Sequence, residues 1–372
     1  MKIAIITSRY PSDGNPYNHM FVHMRSKEFV KQGEHVQVLV PAKLENEYIF
    51  EGIKVKQMPS KEIAKSLNEY DLMYLHLLHL YPLMRTDGWP IYKAIMQKKY
   101  PFAMYVHGSE FAFFKDRFFN DSCSIRDFLS WLRKDIYHMP RLINFFSTTH
   151  HHGEIITPSN WMKKKINHIL SYSKVNIIPN GIDVNLFKYM KVQRGFRMIS
   201  LRPLGDKVYD IESTINVLLL LPDHYSLDIY GRGKYKQHYN DIIKEKGLSD
   251  RIKIYDSFVE RKDMPVFFRD YNVFISTTKL DSQGITMLEA MSCGLLVSSI
   301  DNSSKKEFII DMKTGILGET PKELADKILE VTSDQNLFEN ITLNGRKSME
   351  EIDVEITCEK ELNILKKIAN KK

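Results

Sequence analysis

The segment Asp281 to Gly294, DSQGITMLEAMSCG, has the residue types of a phosphate site. Gly284 permits a tight loop before a helix whose first-turn amides, at Ile285, Thr286 and Met287, lack intrahelical acceptors; unpaired amides and the helix dipole attract phosphate without a charged side chain. Asp281 and Glu289 stand eight apart, one in the loop and one in the helix, so that one carboxylate can face a sugar while the other reaches a ribose. The same strand-loop-helix pattern also arises by chance. Arg202 and Lys207, in SLRPLGDK, offer a guanidinium fork and a compact ammonium for paired phosphate oxygens, or are simply solvated loop charges.

Weaker signals lie elsewhere. Gly231 and Gly233 form a lone GxG after a strand, which a plain strand-to-helix turn explains as well. Asp13, Gly14 and Asn15 follow the first strand, where a glycine lets backbone approach a ligand. His107 and Gly108 end a strand at the same sheet edge, and a single histidine in such a place is commonly structural. His150, His151 and His152 are adjacent, so their side chains diverge, and no paired Cys or Asp/Glu spacing supports a metal. There is no GxSxG elbow, P-loop lysine, HExxH or zinc signature.

Positioning such groups needs a scaffold, and short β-type runs alternating with helical stretches supply one, the pattern of βα units on parallel sheets. The pattern runs twice. The first set of strands is expected at Lys2 to Thr7, Val36 to Val40, Lys54 to Gln57, Leu72 to His76, Phe102 to His107, Ile155 to Thr157 and Val175 to Ile178. The second is expected at Arg197 to Leu201, Ser226 to Tyr230, Ile252 to Tyr255, Asn272 to Thr277 and Leu295 to Ile300, with helices from Ile211, Tyr235, Arg261, Ile285 and Pro321. The fold class is therefore α/β with two doubly wound sheets joined across Pro179 to Arg194, and ligands belong beyond the carboxyl ends of the strands, in a cleft between the sheets. The last segment, from Asp353, reads as an amphipathic helix with Cys358, Leu362, Leu365 and Ile368 on one stripe.

One stretch, Phe111 to His152, departs from this alternation and is dense in aromatic and basic residues. A helix over Ile125 to Tyr137 would crowd Phe128, Leu129, Trp131 and Leu132 on one side with Arg126, Arg133 and Lys134 flanking. That suits a lipid headgroup boundary or an ordinary core-facing helix.

The chain has 372 residues, a length that favours two domains. With 43% hydrophobic and 27% charged residues it is neither fibrous nor disordered. Its net charge of +7 gives a surface that attracts anions, without a recognisable nucleic-acid module. Three scattered cysteines fit a reducing compartment and no disulfide framework. The apolar run from Ile3 to Ile6 is too short for a signal peptide, and no run approaches the length that crosses a bilayer. These features predict a cytoplasmic protein.

Taken together, KIAIITSRYPSDG, HGSE, TPSNW, IPNGIDVNLF, SLRPLGDK, YGRG, DSQGITMLEAMSCG and TGILGE, in this order, resemble the retaining nucleotide-sugar glycosyltransferases of family 4 over nearly the whole chain. The resemblance implies the GT-B fold, two Rossmann-like domains facing a central cleft. It places an acceptor domain at 1–183, a donor domain at 184–352 and a C-terminal helix at 353–372 that packs back on the first domain. It implies transfer of a hexose-type sugar from a nucleoside diphosphate, UDP favoured over GDP, with no metal or other cofactor. The expected acceptor is a lipid-linked or cell-envelope glycan at the inner face of an anionic membrane.

The same resemblance puts Asp281 against the donor sugar and Glu289 on the ribose hydroxyls. Arg202 and Lys207 would face the diphosphate together with the amides of Gly284, Ile285 and Thr286. Val259 would pack the nucleobase, Gly14 and Asn15 would lie in the loop over the donor, and His107 near the reacting carbon. Three departures stand out: Asp281 where the family has Glu, Gly14-Asn15 in place of two glycines, and Asn302 to Ser304 in place of a glycine pair. They motivate the rival reading of an inactive binding or scaffold subunit; a GT-B sugar-nucleotide epimerase is a third.

Overall fold

The structure, a computed structural model, describes residues 1–371 apart from 17, 83, 85, 118–124, 150, 151, 171 and 173. The chain forms two compact units, Met1–Gly181 with Val354–Lys372, and Ile182–Asp353.

The first unit is built on β1 (Lys2–Thr7), β2 (His35–Pro41), β3 (Asn46–Phe50), β4 (Ile53–Met58), β5 (Leu72–His76), β6 (Phe102–Tyr105), β7 (Gly153–Thr157) and β8 (Val175–Ile177), in the order β3-β4-β2-β1-β5-β6-β7-β8. Every pair is parallel except β3 with β4. Alternate residues of each strand feed opposite layers: Ala4, Ile6, Met73 and Met104 enter one core, while Ile3, Ile5, Tyr74 and Tyr105 enter the other. Both faces are covered, which is why these strands read as near-continuous apolar runs.

The hairpin strand β3 is absent from the expectation because NEYIF opens with Asn46 and Glu47 and, at the sheet edge, stays mostly exposed. Its connection, Glu51-Gly52, carries φ values of 43° and 82°, the pattern of a type I′ turn, and that dipeptide was the available signal. β6 stops at Tyr105 rather than His107. The amides of His107 and Gly108 instead donate to Glu110, at 3.2 and 3.0 Å.

The second unit holds β9 (Arg197–Leu201), β10 (Ser226–Tyr230), β11 (Ile252–Tyr255), β12 (Val273–Ser276), β13 (Leu296–Ile300) and β14 (Ile316–Gly318), in the order β11-β10-β9-β12-β13-β14, with parallel pairing throughout. The short β14 and the helix Gln335–Glu350 were not expected. The helix expected from Arg261 is only Met264–Phe267, with Pro265 in its first turn; residues 261–263 form a turn that leaves Arg261 free to reach across the unit.

The helix Val354–Ala369 buries Val354, Cys358, Leu362, Leu365 and Ile368 in the first unit. By contrast, the helix Ile125–Arg133 and the π-helical turn Lys134–His138 leave Ile125, Phe128, Leu129, Leu132, Ile136 and Tyr137 exposed, so a core-facing reading of this stretch is wrong. Lys134, expected on the flank, is buried. The side chain of Arg126 and residues Phe118, Phe119, Cys123, His150 and His151 lie outside the described set. Among the described residues, no helix is long and apolar enough to cross a membrane.

Candidate active site

In the second unit the chain order reverses between β9 and β12, and a crevice at such a switch point is where doubly wound sheets take ligands. Arg202 leaves β9, Ser276 ends β12, and the Arg202 guanidinium bridges the two, its Nη2 donating to Ser276 Oγ at 2.8 Å and lying 3.9 Å from Asp281 Oδ2. Arg202 Nε is buried and has no partner among the described residues. A buried guanidinium nitrogen without an acceptor is costly unless something else supplies one.

That position faces the loop before the helix Ile285–Cys293. Gly284 sits at φ 79°, left-handed backbone, and an added Cβ would come within 3.1 Å of Met287 and 3.3 Å of Asp281. The amides of Ile285, Thr286 and Met287 have no acceptor among the described residues. Asp281 is fixed from three sides: its Oδ1 accepts from the Gln283 amide, its own amide donates to Ser303 Oγ, and its carbonyl accepts from Ser304 Oγ. Ser303 occupies left-handed backbone at φ 50°, in the stretch where the resemblance implies a glycine pair. Serine therefore accepts the strain and adds a hydroxyl that holds the Asp281 loop.

Lys207 begins a short 3₁₀ turn in which Asp206 Oδ1 accepts from the Val208 amide, and its ammonium lies 5.9 Å from the Tyr235 ring. The GxG loop has a stronger reason than a simple turn. A Cβ on Gly231 would meet Arg202 O at 1.9 Å and one on Gly233 would meet Leu204 at 2.0 Å, so these glycines let the loop after β10 pack against the Arg202 loop.

Glu289 is buried at 4% exposure and accepts from Arg261 Nε at 3.1 Å. Burial pushes its carboxyl up, against the pull of Arg261. Val259 lies two residues before Arg261, half-buried in the loop after β11. Arg261 itself, stacked 4.8 Å from Phe187, carried no sequence signal.

Neither did Lys305, which looks in the sequence like one of a pair of solvated charges. It is fully buried, its Nζ donating to Thr278 O and to Asn302 Oδ1, the latter at 2.9 Å. Burial brings its pKa down to about 7, with Asp281 opposing and Arg202 reinforcing the shift.

In the first unit the switch point lies between β1 and β5. His107 Nε2 is 3.1 Å from Nδ1 of His76, which is buried with its Nε2 unpartnered among the described residues. Phe21 and Tyr105 pack against His107, at 4.4 and 4.5 Å between ring centroids. Burial drives both histidines well below the usual imidazole range, with Arg25 and His19 adding to it and His76 lowering His107 further. Gly14 and Asn15 form a turn with Ser12, Asn15 donating its amide to Ser12 O at 2.9 Å. A Cβ on Gly14 would meet nothing within 4 Å, so the turn itself does not require the glycine.

No group of three His, Cys, Asp or Glu among the described residues has the placement to hold a metal ion.

Residues 207–348 match the family model of glycosyl transferases group 1. The chain is 29% identical over 195 residues to the poly(ribitol-phosphate) alpha-N-acetylglucosaminyltransferase of Staphylococcus aureus, covering 50% of this chain and 38% of that protein. It is 21% identical over 236 residues to the alpha-monoglucosyldiacylglycerol synthase of Streptococcus pneumoniae, covering 56% and 52%. The chain thus spans about half or less of the length of these curated relatives. Among solved structures, sucrose-phosphate synthase from Thermosynechococcus elongatus superimposes with a TM-score of 0.76 at 14% identity, covering 100% of both chains. HepE of Anabaena in complex with UDP-glucose superimposes at 0.73 and 16% identity, covering 99% of this chain and 100% of that one. The fold is accordingly that of GT-B glycosyltransferase structures, an α/β architecture with two parallel-sheet units.

Proposed function

We propose that this protein transfers a hexose-type sugar from a nucleoside diphosphate to an acceptor hydroxyl, retaining the anomeric configuration and using no metal. The observation that carries the reading is Arg202, whose buried Nε lacks a partner beside unpaired helix amides at the sheet's switch point. A diphosphate oxygen would satisfy both. When the bond from the anomeric carbon to the phosphate oxygen breaks, Arg202, Lys207 and the amides from Gly284 to Thr286 meet the charge that develops on the leaving group. The acceptor oxygen bonds to the same face of that carbon and gives its proton to the departing phosphate oxygen. Asp281 then faces the sugar, Glu289 the ribose, Val259 the base, and Gly14, Asn15 and His107 serve from the first unit.

UDP is the favoured nucleotide, a choice supported by the UDP and UDP-glucose in the HepE complexes. A thermal-shift panel with UDP, GDP, ADP and CMP tests it. A ligand present at about 100 times its dissociation constant stabilises by about 2.7 kcal/mol, so the expected result is a clear rise with UDP alone. No rise with any nucleotide, in a folded sample, would favour the scaffold reading.

The acceptor is a lipid-linked or cell-envelope glycan, a reading supported by the relatives named for poly(ribitol-phosphate) and diacylglycerol products. The exposed apolar face of Ile125–Arg133, flanked by exposed Lys115 and Arg133, supports contact with an anionic membrane surface. Co-sedimentation with anionic vesicles at low salt, reduced by Leu129→Glu, is expected; no co-sedimentation of the unmodified protein removes the membrane from the proposal.

A further inference from the structure

We infer that a pocket at the switch point of the first unit binds a phosphate group carried by the acceptor; the word acceptor rests on the transferase reading, the phosphate does not. Ser8 and Arg9 leave β1, Leu77 to His79 leave β5, and together with Lys134 and His138 they line a pocket of about 320 Å³. Leu77 and His19, both on its wall, hold left-handed backbone at φ 50° and 52°, strain that persists where surrounding structure imposes it.

The charge in the pocket is one-sided. Arg9 and Lys134 bring two cations, with Arg133 stacked 4.4 Å from the Tyr81 ring beside them. The histidines add no opposing charge and little charge of their own. Burial first and Arg9 second lower His19 to about 4, and burial with Lys134 lowers His138 to about 3. The one carboxylate on the wall among the described residues, Glu110, is already engaged by the amides of His107 and Gly108, and burial pushes its pKa up.

Two donors also lack acceptors. His138 is 3% exposed, and its Nδ1 accepts from the Leu80 amide at 3.4 Å, which leaves the ring proton on Nε2. That nitrogen has no partner at hydrogen-bonding distance and angle among the described residues, and the nearby Glu110 backbone draws the ring's pKa upward, against burial. Ser8 Oγ is likewise buried without a partner. The π-helical turn sets Lys134 and His138 four apart on the same wall, a local distortion that often marks a functional position. A guanidinium fork and a hydroxyl from the loop after β1, with an ammonium and an imidazole N–H from the π-helical turn, suit the tetrahedral oxygens of a phosphate better than a planar carboxylate.

The test is isothermal titration of the full chain at low salt, without nucleotide, using glycerol 3-phosphate, inorganic phosphate, glycerol and glucuronate. Glycerol 3-phosphate is expected to bind most tightly, with Arg9→Gln and His138→Phe each weakening it about tenfold or more. Arg9 is exposed, so its variant probes the pocket without threatening the fold. Equal binding of inorganic phosphate and glycerol 3-phosphate overturns the acceptor assignment, and glucuronate binding as tightly overturns the phosphate. Absence of binding, or binding indifferent to both variants, overturns the pocket altogether. A UDP thermal shift on the same samples reports the transferase reading separately.

Discussion

Two carboxylates eight residues apart occupy different environments, and their roles should separate accordingly. Asp281 is half-buried and held by the Ser303 and Ser304 hydroxyls, whereas Glu289 is enclosed with Arg261. Asp281→Asn is expected to lower turnover more than nucleotide affinity, because the loop hydrogen bonds survive the change. Glu289→Gln should weaken both, since it also leaves Arg261 unpaired in a largely enclosed position. Titrating UDP against both variants and measuring donor turnover checks this; unchanged UDP affinity in Glu289→Gln would remove it from the ribose. For Arg202→Ala and Lys207→Ala, the loss of one preorganised donor each predicts a drop in turnover of roughly 10²-fold or more. Near-normal turnover in both would sink the diphosphate assignment.

At the scale of elements, the loop after β13 governs the site without touching its face. Lys305 anchors this loop to Thr278, at the end of β12, through its buried ammonium. Its pKa falls from the ordinary 10.5 to about 7 in the folded chain, so the folded state releases a proton that the unfolded chain keeps. Where the unfolded chain binds more protons, stability rises with pH. The contribution of Lys305 is therefore least favourable below about pH 7 and is relieved as pH climbs towards 10.5. Urea denaturation across that range should show a rise that Lys305→Met flattens; parallel pH profiles in the two proteins would mean that the ammonium is not desolvated as described.

For the whole molecule, the decisive feature is that the chain leaves the first unit at Gly181 and returns at Val354. The returning helix is fastened by more than its apolar stripe. Arg25 Nε meets both oxygens of Glu361 at 3.0 Å, Tyr74 donates to the same carboxylate at 2.7 Å, and Arg25 also reaches Asn180 at 2.9 Å. Burial raises the Glu361 carboxyl while Arg25 draws it down, and Glu361 in turn holds the guanidinium in its charged form; the charge-assisted Nε–H shared between both oxygens, with Tyr74 donating to the same carboxylate, favours the ionised pair. Val354, Leu362, Leu365 and Ile368 would each lose about 1.5–3 kcal/mol of burial if removed, a sum comparable with the ~5–15 kcal/mol stability of a whole domain. Deleting residues 354–372 should therefore unfold the first unit and spare the second. Hydrogen exchange on the truncated chain reads each unit by itself, and protected amides in β1 and β5 would refute the expectation.

Local pattern determined much of this protein by itself. Parallel strands covered on both faces must be apolar, so β1, β5 and β9 stand where the sequence places them; β10 and β11 do too, on β-type runs, and the helix after Gly284 is announced by a glycine that its φ of 79° requires. Signals without a local period were lost: the exposed edge strand β3, the three-residue β14 and the short helix at Met264. Tertiary structure alone decided which charges are buried. Lys305, Arg25, Lys134 and Glu361 look like solvated charges in the sequence, and nothing within a few residues of them says otherwise. Their partners lie up to 336 residues away, so only the folded chain sets the desolvation and the hydrogen bonds that fix their chemistry.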